Sequence, residues 1–334
     1  MAVTVEQIEQ VIPGLVEPVM GNRCLLQQCR RLTAGASADT WWLQATVGQQ
    51  QHQWILRLDA GGEDLGMAPG KQWEARAQQA AADAGCATAT VIAELGEDSG
   101  LGCGYLMAAL PGESLPPVLL KSPAYDTARR RFPDQVAGAL AAIHRTPLTG
   151  LDGLPVLDAR RQLEQLYAMH RDYGEPLPVF ALAYGWLKDH VPENASLTLV
   201  HGDFRLGNFL FTESGLSGIL DWELTHLGDP MEDLGWLCVN AWRFGRRAKP
   251  VAGLTQREVF HAAYEAASGR PVDPVHARYW ELLGTFKWGV ICQYQAYSYL
   301  RGRVSSVERA AIGRRVAETE YDMLICLKEL QDAA

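Results

Sequence analysis

No run of about 18 consecutive apolar residues occurs in this 334-residue chain, so a helical membrane span is not expected. The first ten residues, Met1 to Gln10, lack the basic start and apolar centre of a secretory signal. The seven cysteines form no C-x-x-C pair, and their odd number and wide spacing exclude a disulfide framework and a cysteine zinc site. A reducing, cytoplasmic setting is the expectation that follows. A basic excess is missing as well: the net charge is −9, which argues against nucleic acid as a partner. Repeats and low-complexity tracts are absent.

What the chain does have is apolar content, 48% of its residues, over a length that suits two lobes better than one. The first part reads as mixed strand and helix. Strands are expected at Leu25–Leu32, Thr40–Val47, Gln53–Leu58, Thr90–Leu95 and Gly104–Ala109, and a helix over Lys71–Ala84 that ends at Gly85. Asp59–Gly70, with four glycines and a proline, is a loop. Leu110-Pro-Gly-Glu113 interrupts the pattern and divides a lobe of residues 1–109 from a mostly helical lobe of residues 110–334. Helices are expected over Asp134–Arg145, Ala159–Tyr173 and Val179–His190, and start signals stand at Asp229-Pro-Met-Glu232, Thr255-Gln-Arg-Glu258, Asp273-Pro274 and Ser305-Ser-Val-Glu308. The predicted class is α+β: a small antiparallel sheet, then a helical lobe, with the chemistry between them.

The chemistry concentrates in residues 197–223. Leu197–Val200 is a short buried strand that enters a polar loop, His201–Gly207, and two apolar runs around Glu213-Ser-Gly215 read as a hairpin. The midpoint of 208 and 221 falls at that turn, so a regular hairpin sets Asn208 opposite Asp221, with Cβ atoms about 5 Å apart. An amide oxygen and a carboxylate at that separation can share Mg²⁺, which takes a few protein oxygens and completes its shell with phosphate and water. Asp203, five residues before Asn208, faces the same point. It is the candidate to orient a hydroxyl and accept its proton, beside a metal held by Asn208 and Asp221.

At these residues a family resemblance is plain. His201-Gly-Asp-Phe-Arg-Leu-Gly-Asn208 resembles the H-G-D-x-x-x-x-N catalytic loop of aminoglycoside phosphotransferases and their protein-kinase-like relatives. Ile219-Leu-Asp-Trp-Glu223 resembles their metal segment, and His226-Leu-Gly-Asp-Pro-Met-Glu-Asp-Leu234 the stretch that follows it. The phrasing is most similar to the phosphotransferase domain fused to some acyl-CoA dehydrogenases. The resemblance implies a protein-kinase-like bilobal fold, Mg²⁺ and ATP (or GTP) as cofactors, Asp203 as base, and Asn208 and Asp221 as metal ligands. His201 and Asp233 match positions that brace the loop; His201 reads as a satisfied core histidine.

Further site residues follow from the same resemblance. Thr33–Asp39, with Gly35, Ala36 and Ser37 at its centre, resembles a nucleotide-phosphate loop, and an ordinary small-residue turn fits it equally well. Arg57 stands where such kinases carry a phosphate-binding lysine, with Glu74 as its ion-pair partner; the bland alternative is a surface pair on a strand. Met107, Ala108 and Ala109 resemble the strand whose backbone reads adenine, and are equally a buried strand. Glu223 is either part of the metal segment or an ordinary loop charge. The aromatic residues between Trp280 and Tyr299 are core, with one or two left to wall an acceptor pocket.

Two other function classes compete: a catalytically silent nucleotide-binding scaffold, supported by arginine at position 57, and a metal-dependent hydrolase using His201, Asp203 and Asp221. For a kinase, charge guides the acceptor. Residues 231–334 carry 14 Lys/Arg against 12 Asp/Glu, a balance of +2, so residues 1–230 carry −11. Arg243, Arg246, Arg247 and Lys249 form one basic cluster, and Arg301 with Arg303 a second. The expected acceptor is therefore a neutral or anionic small molecule with a hydroxyl, rather than a polycationic aminoglycoside.

Overall fold

The computed structural model describes residues 3–32, 38–61, 68–173, 176–193 and 196–332. It opens with helix α1 (Val5–Met20), followed by strands β1 (Cys24–Leu32), β2 (Ala38–Val47) and β3 (Gln50–Asp59), helix α2 (Lys71–Asp83), and strands β4 (Val91–Leu95) and β5 (Gly104–Ala108). The five strands make one antiparallel sheet in the order β1-β2-β3-β5-β4.

Helix α1 was not anticipated. It contains Pro13 and Pro18, which remove backbone donors. A capping box between Thr4 and Gln7 starts it, and Ile8, Ile12 and Val16, one turn apart, are all fully buried. Burying each such side chain is worth about 1.5–3 kcal/mol, enough to outweigh the prolines. These three residues join Trp41, Leu43 and Leu56 in the core on one face of the sheet, whereas Ala75, Tyr105 and Met107 pack on the side of α2.

The rest is mostly helical: α3 (Pro116–Lys121), α4 (Asp126–His144), α5 (Ala159–Tyr173), α6 (Pro178–Asp189), α7 (Met231–Cys238), α8 (Arg257–Ser268), α9 (Pro274–Leu300), α10 (Val307–Gly313) and α11 (Val316–Asp332). Among them lie β6 (Val156–Leu157), β7 (Thr198–Val200), the hairpin strands β8 (Phe209–Thr212) and β9 (Gly215–Ile219), and β10 (His226–Gly228). Asp273 caps α9 through Val275 N–H, as expected from its sequence, and α9 threads the centre of the lobe with Trp280, Phe286 and Tyr294 buried. The α10 cap is Ser306 rather than Ser305, and the α8 cap, Gln256, makes no side-chain capping hydrogen bond.

The hairpin is not regular. Phe209 pairs with Ile219, and a bulge follows between Leu210 and Phe211. Leu220 N–H donates to the Asn208 carbonyl at 2.8 Å, so the residue across from Asn208 is Leu220, and Asp221 comes one later. That corrects the symmetric placement drawn from the midpoint. Asp221 itself takes the left-handed conformation (φ 67°), an uncommon geometry for a non-glycine residue.

The hairpin also ties the sheet-bearing part to the helical part. Ile219 N–H donates to the Ala87 carbonyl at 2.7 Å, Thr88 bridges Ile219 and Trp222, and Glu113 exchanges two backbone hydrogen bonds with Phe211. All seven cysteines are free thiols, and no helix among the described residues is long and apolar enough to cross a membrane.

Candidate active site

The loop from His201 to Asn208 is held from behind by Asp233 on α7. Its carboxylate accepts the N–H of His201 (2.9 Å) and of Gly202 (3.0 Å), and meets His144 Nε2 at 3.0 Å; His144 Nδ1 in turn meets the Tyr264 hydroxyl at 2.7 Å. Burial opposes the charge of Asp233, and its hydrogen bonds with His144 and His201 outweigh that, so its carboxyl titrates below its ordinary range. Gly202 has φ +77°, and a Cβ there would stand 2.2 Å from the Leu224 carbonyl oxygen, so only glycine fits.

His201 is a brace. Its Nδ1 accepts the Asp203 N–H at 3.2 Å, which leaves the proton on Nε2 to donate to the Leu220 carbonyl at 3.0 Å. Burial lowers its pKa and keeps the ring neutral. One histidine thus links the loop carrying Asp203 to the segment carrying Asp221.

Asp203 is 6% exposed, and both of its oxygens are engaged. Oδ1 accepts from Arg205 Nε at 2.9 Å and from Trp236 Nε1 at 2.8 Å; Oδ2 accepts from Arg205 Nε at 3.1 Å and from Asn208 Nδ2 at 2.6 Å. Asn208 spends its amide nitrogen on Asp203, which leaves its amide oxygen as the atom able to serve a cation. Behind the loop, Lys287 donates to the Gly202 carbonyl at 3.2 Å, lies 3.6 Å from Glu232, and sits over the Trp236 ring.

Facing this cluster is the sheet-side wall. Arg57 Nη2 reaches Asp221 Oδ1 at 2.8 Å and lies 3.9 Å from Glu74 Oε2, while Glu74 Oε1 is taken by Lys71 at 2.5 Å. Burial opposes the charge of Asp221; Arg57, Arg205 and His201 outweigh it and lower its pKa. The two oxygen-bearing groups, Asn208 and Asp221, fit a hard cation that draws its remaining ligands from phosphate. Among the described residues no group of three or more His, Cys, Asp or Glu side chains converges on a metal site, so the hydrolase alternative finds no ligand set there.

The other expected residues fall as follows. Gly35, Ala36 and Ser37 lie outside the described residues. Met107 and Ala108 end β5; the N–H groups of Ala108 and Ala109 are already given to the carbonyls of Thr90 and Gln53, which leaves carbonyls rather than donors at this edge. Glu223 is one of the charges acting on the Tyr105 hydroxyl.

Sequence reasoning missed Arg205, Trp236, Lys71 and Tyr105. Arg205 and Trp236 carried a signal, standing two residues after Asp203 and three after Asp233; Lys71 and Tyr105 reach the site only through the fold.

The basic clusters need correction. Arg243 pairs with the buried Glu281 at 2.7 Å, together with Arg257 and Arg278; Arg246 binds the Leu120 carbonyl, and Arg247 lies 3.4 Å from Asp322. Arg301 and Arg303 both lie over Tyr297. Arg243 and Arg246 are thus committed to partners within the protein, whereas Arg247, Lys249, Arg301 and Arg303 remain exposed.

Comparison with known proteins places the chain in a family. Residues 28–271 match the APH model, the phosphotransferase enzyme family. The mouse acyl-CoA dehydrogenase family member 10 is 30% identical over 254 residues, covering 72% of this chain and 22% of that protein; this chain thus spans less than a quarter of that relative's length. Among solved structures, a Ralstonia eutropha protein described as a candidate aminoglycoside phosphotransferase superposes with a TM-score of 0.76 at 23% identity over 98% of both chains. The choline kinase LicA of Streptococcus pneumoniae superposes at 0.59 with 14% identity, over 94% of this chain and 99% of that one. The chain belongs to the phosphotransferase enzyme family and has its protein-kinase-like bilobal α+β fold.

Proposed function

We propose that this chain uses Mg²⁺ and ATP or GTP to move the γ-phosphoryl group to a hydroxyl of a small molecule. The observation that carries the reading is the single cluster in which Asp203 bonds Asn208 at 2.6 Å, while Asp221 lies one residue past the partner of Asn208 on the hairpin. Asp203 orients the acceptor hydroxyl and takes its proton as the new O–P bond forms and the bond to the β-phosphate oxygen breaks. Asn208 and Asp221 would hold the Mg²⁺, which neutralises phosphate charge when bound. Arg57, with Glu74 Oε2 3.9 Å from its Nη2, serves the phosphates as a planar fork rather than a point charge. Residues 35–37 and the 107–109 edge contribute to nucleotide binding, within a nucleotide lobe of residues 1–109 facing an acceptor lobe of residues 110–334, in a cytoplasmic protein.

The acceptor is neutral or anionic. With Arg243 and Arg246 committed to internal partners, further support comes from beside Asp203. The faces of Trp236, Trp242 and Trp288 are already occupied by the chain's own cations, Lys287, Arg205 and Arg315, at 5.0, 4.6 and 5.5 Å from the ring centres. A polycationic acceptor would meet like charge there. Radiolabelled γ-phosphate transfer to a panel of hydroxy acids, polyols and kanamycin tests this: label is expected on the acids or polyols, and efficient, saturable labelling of kanamycin would sink the acceptor assignment.

A silent nucleotide-binding scaffold is the second reading. It is favoured by one contact, the Arg57–Asp221 ion pair, which puts a cation of the chain on a metal-ligand candidate. Nucleotide binding without any transfer would favour it.

A further inference from the structure

Three buried polar atoms without a hydrogen-bond partner gather on the sheet-side wall: Arg57 Nε, Glu74 Oε2 and the Tyr105 hydroxyl. They come from β3, α2 and β5, and Arg57 pairs directly with Tyr105 across the ladder. The distances are unequal in an informative way. One nitrogen, Arg57 Nη2, has a hydrogen-bonded ion pair with Asp221 at 2.8 Å and only a long one with Glu74 at 3.9 Å, which ends on the Oε2 that has no hydrogen bond. The other Glu74 oxygen is fixed by Lys71. Glu74 is therefore anchored, Arg57 is the group able to travel, and Tyr105 is fully buried against both. Burial holds the Tyr105 hydroxyl un-ionised, so it can donate and accept at once.

We propose that Tyr105 is a positioning residue that receives Arg57 when a divalent cation engages Asp221. Arg57 passes from Asp221 to Glu74 Oε2, and the Tyr105 hydroxyl accepts from Arg57 Nε while donating to Glu74. That single shift partners all three orphaned atoms and frees the Asp221 oxygen. A buried polar group left unmade is costly, so the second arrangement supplies part of the driving force for the first ligand's departure. The inference rests on the reading of Asn208 and Asp221 as cation ligands, and it deepens that reading by naming what sets the cation's affinity.

The test is calorimetric titration of the full chain with ADP, with and without Mn²⁺. In the wild type, Mn²⁺ is expected to strengthen ADP binding. Tyr105→Phe deletes only a partnerless hydroxyl, so its melting temperature is expected to hold or rise, and its metal-free ADP affinity to stay unchanged. The strengthening by Mn²⁺ is expected to fall about three- to tenfold, the worth of roughly one hydrogen bond. Glu74→Gln, a second variant that keeps the side-chain shape, is expected to move the metal effect in the same direction. Equal Mn²⁺ enhancement in wild type and both variants overturns the inference alone. A loss of ADP affinity equal with and without Mn²⁺ also overturns it, since that marks a plain structural role. If the wild type itself shows no Mn²⁺ dependence, the metal reading fails and the inference with it.

Discussion

The network around the catalytic loop and the sheet-side wall differ in how fully their polar groups are partnered, although Trp242 Nε1 and Trp288 Nε1, farther out on the helical side, also lack partners. On the helical side, the oxygens of Asp203 and Asp233 and both nitrogens of His144 and His201 have partners between 2.6 and 3.2 Å. On the sheet side, Arg57, Glu74 and Tyr105 each keep a buried atom with none. A saturated network has one arrangement and fixes its members; an unsaturated one has alternatives close in energy. The wall holding the proposed base is thus built for position, and the wall holding the proposed phosphate ligand for adjustment.

Substitutions can break that comparison, and the largest effect is expected at the saturated wall. Asp203→Asn should cut turnover by about 10²- to 10⁴-fold while metal-dependent nucleotide binding survives, as read by phosphate transfer beside calorimetry. Asp233→Ala strips three donors of their partner and strands them in the interior; urea unfolding should show a loss of about 3–5 kcal/mol. The hydroxyl lost in Tyr105→Phe, also fully buried, should cost no stability, and that contrast between two buried sites is the sharpest form of the comparison.

A smaller effect concerns pH. Burial opposes a charged His226, but Glu232, 3.0 Å away, outweighs it and raises the pKa of the ring above 6.5. The ion pair should stabilise the fold fully below about pH 6.5 and fade as pH rises through the folded-state value. Comparing melting temperatures of wild type and His226→Gln across pH should show the gap closing upward. The smallest effect is expected at Arg247, whose exposed pair with Asp322 is worth less than about 1 kcal/mol. Arg247→Ala should leave both stability and transfer nearly unchanged; a large loss of transfer would restore the basic cluster as an acceptor surface.

How much the sequence told depended on whether a feature is local. Asp203, Asn208 and Asp221 were legible as a candidate site because the proposed chemistry demands given residue types at given spacing along one short stretch. Their mutual placement was off by one residue, since a bulge beside Leu210 and a left-handed Asp221 break the symmetry that a midpoint argument assumes. Helix α1 was masked by its prolines although Thr4, Gln7 and the Ile8-Ile12-Val16 stripe mark it. Glu74 was expected to pair with Arg57, yet its close partner is Lys71, three residues earlier on the same helix. Arg243 looked like part of a ligand surface because its buried partner, Glu281, is distant in sequence. Tyr105 gave no sign at all, being one aromatic residue in a buried strand.

The central claim is that Asp203 serves the transfer step while Asp221 serves the metal-bound nucleotide. Calorimetric titration of Mg²⁺-ADP into wild type, Asp203→Asn and Asp221→Asn separates the two roles. The account predicts that wild type and Asp203→Asn bind with a clear Mg²⁺ dependence and that Asp221→Asn loses it. Loss of that dependence in Asp203→Asn with retention in Asp221→Asn, or no Mg²⁺ dependence in the wild type, would contradict it.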